Sequence, residues 1–274
     1  MEEMLNAALH PDDFDIQFRR QGWLTFEYAR PEHRDPQRLS QRWWESTNRS
    51  YSPDAFYELF GENTFRKLLG FIYTRPLSAR SELERICSNA ATLDKHLDFM
   101  RDQELVEEVD GMWRKATRYQ QVDNIGRTLE WYVAEWFKRE LAAPARYGVH
   151  VDDLAEGGDL DVVAFVNGLR IWVECKSGHD TTDEQLRLFL QRTRDFSPDM
   201  AVLLIDSDGN IGRWVESLNN QRDGGDALYP QDPHGALYWG MRNVYVVNAR
   251  KSIAHSLASV LRLYHAKVKY GSFV

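Results

Sequence analysis

The sequence predicts an α/β fold centred in the second half of the chain, and three observations predict it. Two short apolar runs, Leu160 to Val166 and Leu169 to Val173, are rich in Val and Ile and joined by Asn167-Gly168, the strongest short-range signal for a two-residue type I′ hairpin. Before them, Leu129, Val133, Trp136 and Phe137 recur at helical spacing on a segment that opens at Gly126 and ends before Pro144. After them, a helix capped by Thr181 or Thr182, with Leu186, Phe189 and Leu190 inward, leads to Met200 to Ile205, an apolar run typical of a buried strand. With a first strand over Tyr147 to Leu154, the element order is αβββαβ.

The turn fixes the register of the hairpin. With Asn167 and Gly168 as the turn residues, Val166 faces Leu169, Ala164 faces Ile171 and Asp161 faces Glu174. Carboxylates directly opposite each other have Cβ atoms only about 4.5–5.5 Å apart, where like charges destabilise the strand pair. A sequence shaped by stability alone would avoid that placement. Strand side chains alternate between faces, so Lys176 joins Asp161 and Glu174, while Val162, Ala164, Ile171, Val173 and Cys175 line the other side. Two acids with an ammonium beside them suit a hard divalent cation, Mg2+ or Mn2+, which needs few protein carboxylates and offsets their repulsion. Such a site activates water and neutralises charge building on a phosphate.

Gly158-Asp159-Leu160-Asp161 followed by Glu174-Cys175-Lys176 resembles the signature of the PD-(D/E)XK nuclease superfamily, in the variant whose first half reads G-x-x-D. The resemblance covers a little over half of the chain and implies a restriction-endonuclease-like αβββαβ core. It implies Asp161 and Glu174 as metal ligands, joined by the backbone carbonyl of Cys175, and Lys176 as the catalytic lysine. Glu130 resembles the first-helix acid that many members use as an added ligand or to orient water; an ordinary carboxylate in a favourable first turn is the other reading. Gln185 lies on the helix after the signature, where some relatives place a glutamine that touches phosphate. Within the superfamily the run is most similar to the effector halves of CRISPR-ancillary nucleases, and also to Mrr-type restriction enzymes and archaeal Holliday-junction resolvases. The implied activity is metal-dependent hydrolysis of phosphodiester bonds, as a DNA endonuclease in defence or DNA processing. The alternatives are an RNase, or a catalytically inactive nuclease-like protein kept for nucleic-acid binding or assembly.

Ahead of this domain, assigned to residues 123–274, lie two further parts. Residues 1–61 read as an accessory region. In it, Asp15 to Ala29 carries alternating aromatics around a turn at Gln21-Gly22 and reads as strand, and Trp43 and Trp44, next to Arg42, are aromatics that could stack on bases. Residues 62–118 read as three short helices and a hairpin. Phe65, Leu68, Leu69 and Ile72 point inward on the first helix, Leu83, Ile86 and Cys87 on the second, and Leu93, Leu97 and Met100 on the third; the hairpin turns at Asp110-Gly111. This pattern resembles a winged helix-turn-helix, whose third helix faces a DNA groove. The outward residues of that helix, Asp94, Lys95, His96, Asp98, Arg101 and Asp102, carry more acid than base, which favours packing, dimerisation or partner binding over groove reading. Arg114 and Lys115 of the hairpin, with Arg118, are the better phosphate contacts.

A net charge of −8 over 274 residues excludes a generally basic nucleic-acid coat. The average hides an acid-free stretch from Met241 to Val274, where Arg250 and Lys251 are further candidates for phosphate contact. A polar loop from Asn220 to Gly235 separates a helix over Ile211 to Asn219 from a last strand, Asn243 to Val247, and a final helix, Ser252 to His265. His179 follows the signature as a loop histidine without a spaced partner. With no long apolar run and an acidic, interrupted N-terminus, neither a membrane span nor a signal peptide is expected. Cys87 and Cys175 lie far apart and read as reduced thiols of a cytoplasmic protein. The expected partners are nucleic acid, DNA in preference to RNA, and a second copy of the chain.

Overall fold

The computed structural model describes residues 13–23, 26–28, 53–152, 154, 159–178, 181–222, 227–241, 243–249 and 251–270. The chain divides into two units, one made of Met1–Ala29 with Val133–Val274, the other of Arg30–Tyr132.

Helix α1 (Asp13–Arg20) and strand β1 (Phe26–Tyr28) come first. The aromatic alternation from Asp15 predicts strand, and here the structure differs. Phe14 and Phe18, four residues apart on one helical face, are both buried; their rings stack at 5.4 Å, and Phe14 meets Phe165 at 5.3 Å. Burying two phenyl rings on a sheet face outweighs a local strand preference. The turn at Gln21-Gly22 is present, with Gly22 at φ +94°.

The unit Arg30–Tyr132 contains α2 (Pro53–Gly61), α3 (Asn63–Tyr73), β2 (Ser78–Ala79), α4 (Arg80–Ile86), α5 (Ala90–Asp102), β3 (Val106–Val109) and β4 (Met112–Lys115). Its sheet runs β2-β4-β3. Asp110 and Gly111 take φ of +52° and +74°, and Val109 pairs with Met112, the geometry of a two-residue I′ turn. Phe65, Leu68, Leu69 and Ile72 of α3 and Leu93, Leu97 and Met100 of α5 are buried. Helix α2 was not anticipated. Buried Arg66 caps its end, donating from one guanidinium nitrogen to the carbonyls of Phe60 at 2.9 Å and Gly61 at 2.8 Å. His96 is not outward as expected but 0% exposed, with Nε2 3.0 Å from Glu62 Oε2 and its ring edge-on to Phe65. Arg42, Trp43 and Trp44 lie outside the described residues.

The remaining elements are α6 (Gly126–Leu141), β5 (Ala145–Val151), β6 (Asp159–Val166), β7 (Leu169–Ser177), α7 (Asp183–Phe196), β8 (Met200–Asp206), α8 (Gly212–Asn220), β9 (Tyr229–Pro230), β10 (Leu237–Gly240), β11 (Val244–Asn248) and α9 (Ile253–Tyr270). Among the described residues, eight strands form one mixed sheet in the order β1-β5-β6-β7-β8-β11-β10-β9. Strands β7, β8 and β11 are parallel, so their carboxyl ends lie at one edge; the other pairings are antiparallel. Phe165, Trp172, Leu203 and Val246 on one face pack with Phe14 and Phe18 of α1, Leu186 and Phe189 of α7, and Trp214 and Leu218 of α8. Val162, Ala164, Ile171, Val173, Val202 and Leu204 are buried on the opposite face. Short β9, carrying Pro230 and exposed Tyr229 within the expected polar loop, blunts the sheet edge. Among the described residues no helix is long and apolar enough to cross a membrane, and Cys87 and Cys175 are buried and form no disulfide.

Candidate active site

The β6–β7 hairpin has the register its turn predicts. Asn167 and Gly168 take φ of +52° and +82°, and the ladder runs from Val166↔Leu169 through Ala164↔Ile171 to Val162↔Val173. There the backbone pairing stops. The Asp161 side chain takes over, its Oδ2 accepting the Cys175 N–H at 2.8 Å. On the other side of β6, Tyr147 pairs with Val162 and Val149 with Leu160, but the intervening pair, Gly148 with Asp161, is missing from the ladder. Gly148 has φ +59°, a conformation a side chain would resist. The alternation shifts at this point: Val149 and Leu160 join the same cluster as Val163 and Phe165. Asp161 therefore sits where the sheet opens, with its carboxylate turned to β7. The sequence signal was a glycine inside the strand pattern Tyr147-Gly148-Val149, which marks a distortion.

Glu174 and Lys176 are successive same-face residues of β7. Glu174 is only 4% exposed. Its Oε1 accepts from Lys176 Nζ at 2.7 Å, while its buried Oε2 meets no hydrogen-bond donor among the described residues. Burial is the largest single influence on Lys176 and lowers its pKa. The charges of Glu174 and Asp161, with the hydrogen bond to Glu174, outweigh it and raise the pKa above the ordinary lysine value. Lys176 is thus an ammonium ion at neutral pH. A buried carboxylate oxygen without a donor, beside a second carboxylate, fits the all-oxygen donor set of a hard divalent cation.

Asp161, Glu174, Cys175 and Lys176 are brought together. Glu130, on α6, is 6% exposed, and both its oxygens accept from Arg127, at 2.9 and 3.2 Å. No group of three His, Cys, Asp or Glu arranged to hold an ion occurs among the described residues. Gln185 caps α7, its Oε1 accepting the Thr182 N–H at 3.0 Å. In the other unit Arg114 pairs with Glu107 at 2.7 Å, Lys115 donates to the Val122 carbonyl at 2.9 Å, and Arg118 pairs with Glu104 at 2.8 Å. Lys251 is exposed. Gly158, His179 and Arg250 lie outside the described residues.

No family model matches the chain, and no curated protein matches it. Among solved structures it is similar to protein VC1899 from Vibrio cholerae, at 18% identity and a TM-score of 0.41, over 61% of this chain and 52% of that one. It is also similar to Can2 from Sulfobacillus thermosulfidooxidans, solved in complex with cyclic tetra-adenylate, at 13% identity and a TM-score of 0.46, over 76% of this chain and 54% of that one. The chain spans about half the length of each of these proteins.

Proposed function

We propose that the chain is a metal-dependent nuclease of the PD-(D/E)XK kind, with DNA as its preferred substrate. The observation that carries this reading is buried Glu174, with one oxygen on the Lys176 ammonium, the other without a donor among the described residues, and Asp161 on the adjoining strand. Stability alone does not account for it, because a buried polar atom left unsatisfied costs about 1–3 kcal/mol. Asp161 and Glu174 would hold Mg2+ or Mn2+, with the Cys175 carbonyl as the further ligand the sequence resemblance implies. When bound, such an ion supplies Lewis-acid stabilisation of the phosphate and a more acidic water. Lys176, kept cationic by its two acids, orients the attacking water and sets positive charge against the phosphate oxygens. Water oxygen bonds to phosphorus as the bond to the leaving sugar oxygen breaks; the attacking water gives a proton to solvent and the leaving oxygen takes one from solvent. Gln185 uses its carbonyl oxygen in the helix cap, which leaves its amide donors for a phosphate oxygen.

The test is a panel of plasmid, single-stranded DNA and RNA, each with Mg2+, Mn2+ or EDTA. Cleavage of DNA in either metal and none in EDTA is expected, falling by at least about 100-fold in Glu174→Gln and in Lys176→Met. Equal cleavage by Glu174→Gln and the wild type would sink the catalytic assignment. Cutting of RNA alone would make the protein an RNase. Binding in every metal without cleavage would favour the binding or assembly reading.

A further inference from the structure

A cavity of about 740 Å³ opens at the carboxyl ends of β8 and β11, a size within the range of small-ligand sites. Its polar lining sorts into two groups. Asp232, the carboxylate of the wall, is saturated: Oδ1 accepts the N–H groups of Ala236 and Leu237 at 2.8 and 2.6 Å, and Oδ2 accepts that of His234 at 3.0 Å. Asn210 accepts from the Gly212 N–H at 2.7 Å, and Asn248 donates to the Gly209 carbonyl at 3.0 Å. The Lys251 ammonium and the imidazoles of His234 and His255 also line the cavity, and among the described residues these have no ion pair or side-chain hydrogen bond. With the Asp232 oxygens occupied by backbone N–H groups, the ammonium and the two imidazoles are the groups of this wall that can meet an anion.

The position of this wall ties it to the candidate active site. Lys176 pairs with Ile205, and Ile205 with Asn248, so the three lie in a row across β7, β8 and β11 with their side chains on one face. Two strand spacings separate Lys176 from Asn248, roughly 10 Å. Ligands of parallel sheets enter at the carboxyl ends of the strands. Each strand of a nucleic acid duplex carries one charge per ~3.4 Å of axis, so a strand cut at Glu174 and Lys176 brings further phosphates past the cavity.

We propose that the cavity takes a phosphate-bearing nucleotide of the same strand whose scissile phosphate lies at Glu174 and Lys176. Lys251 ion-pairs with the phosphate, His234 and His255 donate hydrogen bonds to it, and the nucleoside fills the cavity. The proposal rests on the nuclease reading for its choice of ligand.

The experiment titrates a short fluorescent single strand of DNA with the full chain in EDTA, over a series of salt concentrations. In Lys251→Ala, affinity is expected to fall about fivefold and the slope of log affinity against log salt to shrink by about 0.7, with Lys251→Arg restoring both. His234→Ala with His255→Ala is expected to lower affinity as well, through the lost hydrogen bonds. A wild type that does not bind, or an unchanged slope in Lys251→Ala, overturns the proposal; if the wild type still cleaves, the nuclease reading survives. Conversely, cleavage by Glu174→Gln as fast as by wild type sinks the nuclease reading and leaves the binding result standing. Adenosine 5′-monophosphate and inorganic phosphate form a second arm, read by the ring C2–H NMR signals of His234 and His255. Saturation by the mononucleotide with strand binding indifferent to Lys251 would overturn the strand as the source of the phosphate.

Discussion

Lys176 Nζ lies 2.7 Å from Glu174 Oε1, and the two residues stand on consecutive same-face positions of one strand. The backbone, rather than two mobile side chains, therefore holds the ion pair. Breaking it from one side leaves a buried carboxylate without its counter-ion. Lys176→Met is expected to cost about 2–4 kcal/mol in urea unfolding, and the double variant Glu174→Gln with Lys176→Met to recover more than half of that loss. Additive single losses would mean that the pair does not couple.

The same pair has an alkaline limit. The pKa of Lys176 in the folded chain is raised above its value of 10.5 in the open chain. Its stabilisation is therefore fully present below about pH 10 and is lost as pH rises through the folded value. The stability difference between wild type and Lys176→Met should stay flat from neutrality to about pH 10 and narrow only above it, as measured by denaturant unfolding at stepped pH. A difference that narrows between pH 7 and 9 would contradict the raised value.

His96 responds in the opposite direction. Burial depresses its pKa below the usual histidine value, and Glu62 only partly offsets this. Its contribution to stability is present above the open-chain value of 6.5 and is lost as pH falls through the folded one. Thermal unfolding of wild type should lose stability on acidification from about pH 7 to 5, and His96→Gln should flatten that dependence. The variant's own stability does not matter to the comparison, because the slope with pH is what is read.

Two glycines separate conformational from steric cost. Gly168 takes φ +82° and a Cβ there would touch nothing within 4 Å, so Gly168→Ala is expected to cost about 1 kcal/mol through backbone conformation alone. At Gly240 a Cβ would run into the backbone carbonyl of Ala227, which no side-chain movement relieves. Gly240→Ala should therefore cost about 3 kcal/mol, and melting temperatures of the two variants in that order would check the pair of expectations.

The β6–β7 register was legible in the sequence because a single dipeptide, Asn167-Gly168, dictates both turn geometry and pairing. Helix α7 and strand β8 were legible because period and capping agreed. Helix α1 was not, since Phe14 and Phe18 gain their preference from Phe165, far away in the chain. For the same reason His96 was misplaced: only the fold brings Glu62 and Phe65 around it. At the site, the residue types were readable from spacing. The opening at Gly148, which aims Asp161 at β7, was not, because a glycine in a strand announces a distortion without saying which neighbour it serves.

That opening gives one backbone group an unusual dependency. The amide of Cys175, inside a central strand, is tethered to an ionisable carboxylate instead of a peptide carbonyl. Whatever draws Asp161 away, a proton or a competing charge, releases that amide, which lies between Glu174 and Lys176 in the chain. The strand thus carries its own reporter, one whose exchange with solvent tracks the state of the acid beside it.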